Sequence, residues 1–382
     1  MSLSRRSFVQ TLGVGAAGAW IGSRGREASL FGVEPLYAQN ASPIILSSNE
    51  NPAGPGQAVI DAVRGAFGDT GRYPFATVDE VAELIAKKHG LKRENVLVGS
   101  GSTQILRTST HVFTTKTAGL VAAIPAYEEC AGYARLIGNP VTGVKLNSEL
   151  KMDLDALLGA AKGSGLVFYC NPNNPVATAI GGKETRDYIA ALGKASPNTA
   201  VLVDEAYFEY ATMPGYETMI PVAVENPRVV VARTFSKCFG MAGLRVGYAI
   251  GHRDSIKKLS DWDGSGAVNV LGLAAARAAL AGDQARLVAE SKRNTDARGF
   301  TMKWFSDRGY KPTDSQTNFI FVDIKRPARE FRSACAAEGV LVGRDFPPYE
   351  KSHARISIGT MAEMQKAVEV FGKALAKPAA AA

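Results

Sequence analysis

Between residues 75 and 290 the chain alternates amphipathic stretches with short, continuously apolar runs bounded by Gly, Pro or Asn. The runs fall at residues 95–99, 119–124, 165–170, 200–204 and 228–232. A strand with one wet face alternates apolar and polar residues, whereas an unbroken apolar run marks a strand covered on both faces. Helical stretches such as 183–194 separate several of the runs, and Thr77-Val78-Asp79-Glu80 reads as a capping box opening a helix through Lys88. This grammar predicts an α/β fold with a mostly parallel central sheet. After residue 290 the rhythm changes. A long helix (283–307), the run 318–322, a further helix, the runs 339–342 and 354–359 and a last helix over 361–376 predict a small α+β domain.

In open α/β sheets, ligands bind beyond the carboxyl ends of the strands. Four strand ends here carry chemistry. The first predicted strand runs into Gly99-Ser100-Gly101-Ser102-Thr103-Gln104, a turn of small residues opening a helix, whose backbone N–H groups suit a phosphate. The run at 165–170 is followed by Asn171-Pro172-Asn173-Asn174-Pro175, in which the prolines fix the backbone and hold Asn side chains at the strand end. The run at 200–204 ends on Asp204, a carboxylate that burial makes costly unless it has a partner or caps a helix. The last ends in Thr234-Phe235-Ser236-Lys237, with Arg245 beyond. Each alone has an ordinary reading as turn, cap or surface residue; together they converge on one sheet edge.

These segments resemble the fold-type I pyridoxal-phosphate aminotransferases of class I/II. The similarity is closest to the histidinol-phosphate aminotransferase branch and spans roughly residues 42–375. Asn49-Glu50-Asn51-Pro52, Arg72-Tyr73-Pro74 and Arg355-Ile356-Ser357-Ile358-Gly359 match that branch as well. The resemblance implies that Lys237 holds the cofactor as a Schiff base and later acts as general base. It implies that Asp204 keeps the pyridine nitrogen protonated and that Asn174 and Tyr207 hydrogen-bond the ring's phenolic oxygen. Tyr127 would stack on the ring. Gly101, Ser102, Thr103, Thr234, Ser236 and Arg245 would hold the phosphate, with Tyr73 reaching it from a second subunit, so that a homodimer shares its sites. Arg355 would clamp the substrate α-carboxylate, with Asn49 and Asn174 also on the substrate side. No metal is implied. The expected activity is ping-pong transfer of an amino group between an amino acid, or an amine like histidinol phosphate, and a 2-oxo acid. A decarboxylase on the same scaffold, similar to threonine-phosphate decarboxylases, and a non-catalytic cofactor-binding module are the alternatives. The chain departs from the branch at Asn174-Pro175-Val176-Ala177-Thr178 and at Thr103, and its Tyr37 sits beside a presumed processing site. These departures bear on the substrate more than on the cofactor.

The N-terminus reads differently. Ser4-Arg5-Arg6-Ser7-Phe8 precedes a weakly apolar, Gly- and Ala-rich stretch that resembles a twin-arginine export signal, with Leu36-Tyr37-Ala38 as a processing site. A basic tail or an uncleaved anchor are the other readings. Export to the periplasm by the twin-arginine machinery, which carries folded proteins, suits an enzyme that must first acquire a cofactor. The resulting division is a signal segment over 1–38, an N-terminal segment over 39–74 contributing to the small domain and dimer contacts, a large cofactor-binding domain over 75–290, a small domain over 291–376 and a tail over 377–382. The formal charge of +8 falls to +6 beyond residue 38, where 40 basic residues face 34 acidic ones without any basic run, so nucleic acid is not an expected partner. The cysteines (Cys130, Cys170, Cys238, Cys335) show no CxxC spacing, and Cys170 reads as a buried thiol.

Overall fold

The computed structural model describes residues 43–263, 268–282 and 284–376; the twin-arginine pattern, the processing site and the C-terminal tail lie outside the described residues. Twelve strands are found among these residues: β1 (Ile44–Leu46), β2 (Val96–Gly99), β3 (Leu120–Ile124), β4 (Val141–Lys145), β5 (Leu166–Cys170), β6 (Ala200–Asp204), β7 (Val229–Thr234), β8 (Gly247–Gly251), β9 (Lys311–Pro312), β10 (Phe319–Asp323), β11 (Val340–Val342) and β12 (His353–Ser357). Seven of them form one sheet in the order β2-β8-β7-β6-β5-β3-β4. β8 runs antiparallel to both neighbours, and the pairs from β7 to β4 are parallel. The α/β fold with a mostly parallel sheet is therefore as the sequence predicts.

The continuous apolar runs have a direct packing reason. Along β6, Val201 and Val203 enter one hydrophobic cluster while Ala200 and Leu202 enter another on the opposite face. Successive side chains of a strand point to opposite faces, so both must be apolar when both are roofed by helices. β4 escapes this rule and was not predicted: it is the sheet's edge, and its Val141-Thr142-Gly143-Val144-Lys145 is mostly part-exposed or exposed. β8 was also missed, because a five-residue strand with glycine at both ends carries little apolar signal.

The capping box at Thr77 is a correction. The helix spans Phe75–Lys88 with Pro74 at its N-cap and no side-chain cap, so Thr77 lies inside the first turn. Proline's fixed φ sits well at a helix start and lacks only an N–H that has no intrahelical partner there.

Beyond the large sheet, β12, β10 and β9 pair antiparallel, and β1 pairs parallel with β11. Leu46 of β1 joins a third core with Ile320, Val322, Phe331, Ile356 and Phe371. The segment just before the Asn49 motif is thus sewn to the C-terminal part of the chain. The helix Gln284–Ser306 links the two regions: Leu287 packs in the large-sheet core, and Ala297 and Phe305 in the third.

Candidate active site

The carboxyl ends of β5, β6 and β7 open on a cavity of about 300 Å³. It is lined by Asn49, Ser102, Thr103, Tyr127, Asn174, Asp204, Tyr207, Thr234, Ser236, Lys237, Arg245 and Arg355, all expected from the sequence. Two further expected residues do not line it. Gly101 sits buried at the start of the helix Gly101–Phe113, and Tyr73 is 85% exposed, stacked on Phe75 at a centroid distance of 5.6 Å.

One end of the cavity is built to take an anion. The 13-residue helix Gly101–Phe113 points its first turn at the cavity through Ser102 and Thr103. Glycine is required on both sides of this contact. A Cβ on Gly101, whose φ is +75°, would lie 2.4 Å from Arg245 Nη2, and one on Gly247 of β8 would lie 2.2 Å from the Ser102 nitrogen. Arg245, itself left-handed at φ 54°, donates through Nη1 to Ser236 Oγ at 3.4 Å and to the Ala242 carbonyl at 2.9 Å. The Ser236 N–H donates to Thr234 Oγ1 at 3.0 Å. Helix N–H groups, hydroxyls and a guanidinium converge, a suitable cradle for a phosphate.

Asp204 ends β6 with its carboxylate buried, accepting one hydrogen bond from the Ala206 N–H at 3.2 Å. Burial raises its pKa from 3.8 to about 7, opposed by that N–H and by Lys237. Lys237, half-buried, donates through Nζ to the Asn49 carbonyl at 3.1 Å and the Ser48 carbonyl at 3.4 Å. Burial first, and then the charge of Arg355, bring its pKa from 10.5 down to about 8.

Arg355, on β12, closes the opposite side. It donates through Nη1 to Asn174 Oδ1 at 2.8 Å and through Nη2 to the Ser47 carbonyl at 2.7 Å, and stacks over Phe346 at 4.6 Å. Its buried Nε has no partner among the described residues. Burial lowers its pKa from 12.5 to about 10. The Tyr207 phenol, buried between Asn49 and Phe319, is pushed up by desolvation.

The sequence reading missed Glu128, Cys170, Arg344 and Phe346, which also line the cavity. Glu128 and Arg344 pair across its mouth at 2.5 Å. Arg344 and Phe346 directly follow β11, so the strand-end question asked of the large sheet would have found them if asked of the small region too.

A family model for class I and II aminotransferases matches residues 41–371. The chain belongs to this family. It is 32% identical to the histidinol-phosphate aminotransferase of Moorella thermoacetica over 87% of this chain and 86% of that protein, and 35% identical to histidinol-phosphate aminotransferase 2 of Methylococcus capsulatus over 84% and 86%. The histidinol-phosphate aminotransferase of Sinorhizobium meliloti, solved in complex with pyridoxal-5'-phosphate, superposes with a TM-score of 0.80 at 25% identity, covering 93% of this chain and 99% of that one. The protein is a pyridoxal-phosphate-dependent aminotransferase of fold type I.

The aminotransferase's own residues fit that cofactor on physical grounds. A buried carboxylate with one backbone donor calls for a cationic ring nitrogen. A lysine with a depressed pKa suits attachment to an aldehyde, and the helix start at Ser102 and Thr103, with the Thr234 and Ser236 hydroxyls and Arg245, offers donors to phosphate oxygens.

Proposed function

We propose that this aminotransferase moves the amino group of an α-amino acid with an aromatic side chain to a 2-oxo acid. The observation that carries the reading is Arg355. A buried guanidinium with an idle Nε, paired with no carboxylate among the described residues, is poised for the α-carboxylate of a substrate. Asn49 and Asn174 flank it from the other elements. Phe346, packed against Arg355, gives the adjoining wall an aromatic face.

Bound in this cavity, pyridoxal phosphate supplies an aldehyde for covalent attachment and a protonated ring that accepts an electron pair. Lys237 would hold it and, when free, would serve as the base for the substrate α-proton; a pKa near 8 brings a lysine toward the working range of a base. Asp204 would hold the proton on the ring nitrogen, Tyr207 and Asn174 would donate to the phenolic oxygen, Tyr127 would pack on the ring, and Ser102, Thr103, Thr234, Ser236 and Arg245 would hold the phosphate.

Histidinol phosphate, named in the relatives, is the second reading. A phosphate at the cavity mouth would meet Arg344, but that guanidinium is already engaged by Glu128. The deciding experiment compares aromatic L-amino acids with histidinol phosphate as donors, using 2-oxoglutarate and pyruvate as acceptors. The reading expects the higher kcat/KM for an aromatic amino acid; turnover of histidinol phosphate alone sinks it, and CO2 release without dependence on an oxo acid would mean decarboxylation instead.

The enzyme is further proposed to act as a homodimer in which Tyr73 completes the partner's phosphate cradle, a role consistent with its 85% exposure in the single chain. It is proposed to reach the periplasm through the twin-arginine signal at Arg5 and Arg6. Replacing both arginines by lysine is expected to leave the protein in the cytoplasm, whereas undiminished export rejects the signal.

A further inference from the structure

Ser357 lies on β12 two residues beyond Arg355, so the two side chains leave the same face of the strand. It does not line the cavity, yet it reaches Asn49 through two hydrogen bonds of opposite sense. The Asn49 N–H donates to Ser357 Oγ at 2.8 Å, and the Ser357 hydroxyl donates to Asn49 Oδ1 at 2.9 Å. Asn49 Nδ2 in turn donates to the Tyr207 hydroxyl oxygen at 3.1 Å. Ser357, Asn49 and Tyr207 are all buried, so no bulk water competes for these groups. Asn49 takes a left-handed φ of 55°, a conformation that asparagine tolerates better than most residues, and this brings its own N–H and its side chain onto the one serine.

The directions of these bonds decide what Tyr207 can do. An asparagine side chain can face a neighbour with either its oxygen or its NH2. Ser357 Oγ already receives the Asn49 N–H, so its own proton needs an acceptor. The Asn49 amide supplies one only with Oδ1 toward the serine, which turns Nδ2 toward the tyrosine. Because Tyr207 oxygen receives a proton from Nδ2, its own O–H is left to point into the cavity that the residue lines. With the amide reversed, Oδ1 would draw the phenol proton away from the cavity.

We propose that Ser357 is a positioning residue that, by fixing the orientation of the Asn49 amide, makes Tyr207 a hydrogen-bond donor to the oxygen facing it in the cavity. The inference rests on the placement of the cofactor's phenolic oxygen beside Tyr207 proposed above. A donor to that oxygen favours its ionised form and so lowers the proton affinity of the nitrogen joined to Lys237.

The test titrates the visible absorbance of the loaded enzyme against pH. Tyr207→Phe removes the donor, and its midpoint is expected to rise. Ser357→Ala frees the amide to reverse, and its midpoint is expected to rise in the same direction, by up to about a tenfold change in proton affinity. Ser357→Thr keeps the hydroxyl and is expected to restore the original midpoint. Combining Ser357→Ala with Tyr207→Phe should add nothing to Tyr207→Phe alone, since the serine acts only through the phenol. An unchanged midpoint in Ser357→Ala, or full additivity in the double variant, overturns the proposal. If Ser357→Ala does not retain cofactor, Asn49→Asp asks the same question: a carboxylate has no donor for Tyr207 and should raise the midpoint, and no shift there is equally fatal. Failure of the underlying placement is separate, because it would appear as a Tyr207→Phe midpoint identical to that of the unsubstituted enzyme.

Discussion

Because Asp204 is 3% exposed and receives a single backbone hydrogen bond, the cofactor-free protein holds a carboxylate that it stabilises poorly. The folded chain binds that proton more tightly than the unfolded chain, with pKa values of about 7 and 3.8. Stability is therefore lost as pH rises through this window, and above it the full cost of a bare anion is present. At about 1.4 kcal/mol per pH unit the cost has an upper bound of roughly 4 kcal/mol. Asp204→Asn is expected to raise the melting temperature of the cofactor-free protein above neutrality and to lose that advantage near the unfolded carboxyl value. In the loaded enzyme the sign should reverse, since a cationic ring partner is then forfeited, and turnover should fall by orders of magnitude. Calorimetry with and without pyridoxal phosphate checks both halves; equal melting temperatures for the two cofactor-free proteins at alkaline pH would rule the account out. Lys237→Ala belongs to the same scale, and its expected outcome is loss of the visible absorbance band and of turnover. Asp204 was legible in the sequence because it ends an apolar run, where a charge is conspicuous, and Lys237 because its segment follows another such run and joins the other strand ends at one sheet edge. Ser357 was not: its part depends on which way an amide faces, 308 residues away in the chain, and no spacing rule carries that.

At the level of elements, the phosphate cradle depends on how closely the helix Gly101–Phe113 can settle onto β8. Gly247→Ala would put a methyl group 2.2 Å from the Ser102 nitrogen and 2.6 Å from the Gly101 carbonyl carbon. Backbone atoms cannot step aside as a flexible side chain can, so the helix start must move. Overpacking of this kind typically costs about 1–3 kcal/mol, and here it should also weaken pyridoxal phosphate binding at least tenfold, because the N–H groups are displaced from their target. Gly243→Ala, with no heavy atom within 4 Å of its added Cβ, should change neither quantity and serves as the control. Equilibrium dialysis of the cofactor together with thermal melts separates the two effects; a Gly247→Ala protein that binds normally would show that the approach of helix to strand is not what shapes the cradle. The same contact explains a failure of the sequence reading. The Gly/Ser turn after β2 was visible, but β8, which supports it, was not, because the glycines that permit the contact also erase the apolar pattern of the strand. The buried parallel strands, whose two faces both had to be apolar, announced themselves.

At the scale of the whole molecule, Tyr73 and Phe75 stand stacked and exposed on the surface of the single chain. Large apolar side chains exposed together in this way commonly mark an interface. If Tyr73 completes the cradle of a partner, each site draws Lys237 from one chain and Tyr73 from the other. Symmetry then makes a sharp prediction. A Lys237→Ala homodimer is inactive, and a Tyr73→Ala homodimer should bind cofactor weakly and turn over slowly at limiting pyridoxal phosphate. A hybrid of the two carries one site with both substitutions and one with neither. One of its two sites is intact, so the isolated hybrid should recover about one half of the unsubstituted enzyme's activity per site. Were Tyr73 to serve its own chain, every hybrid site would contain one defect and mixing would restore nothing. Co-expression with distinguishable tags, isolation of the doubly tagged species and assay at limiting cofactor distinguish the two arrangements. The result also bears on the export proposal, because a site shared between chains must be assembled and loaded before a folded enzyme is moved across a membrane.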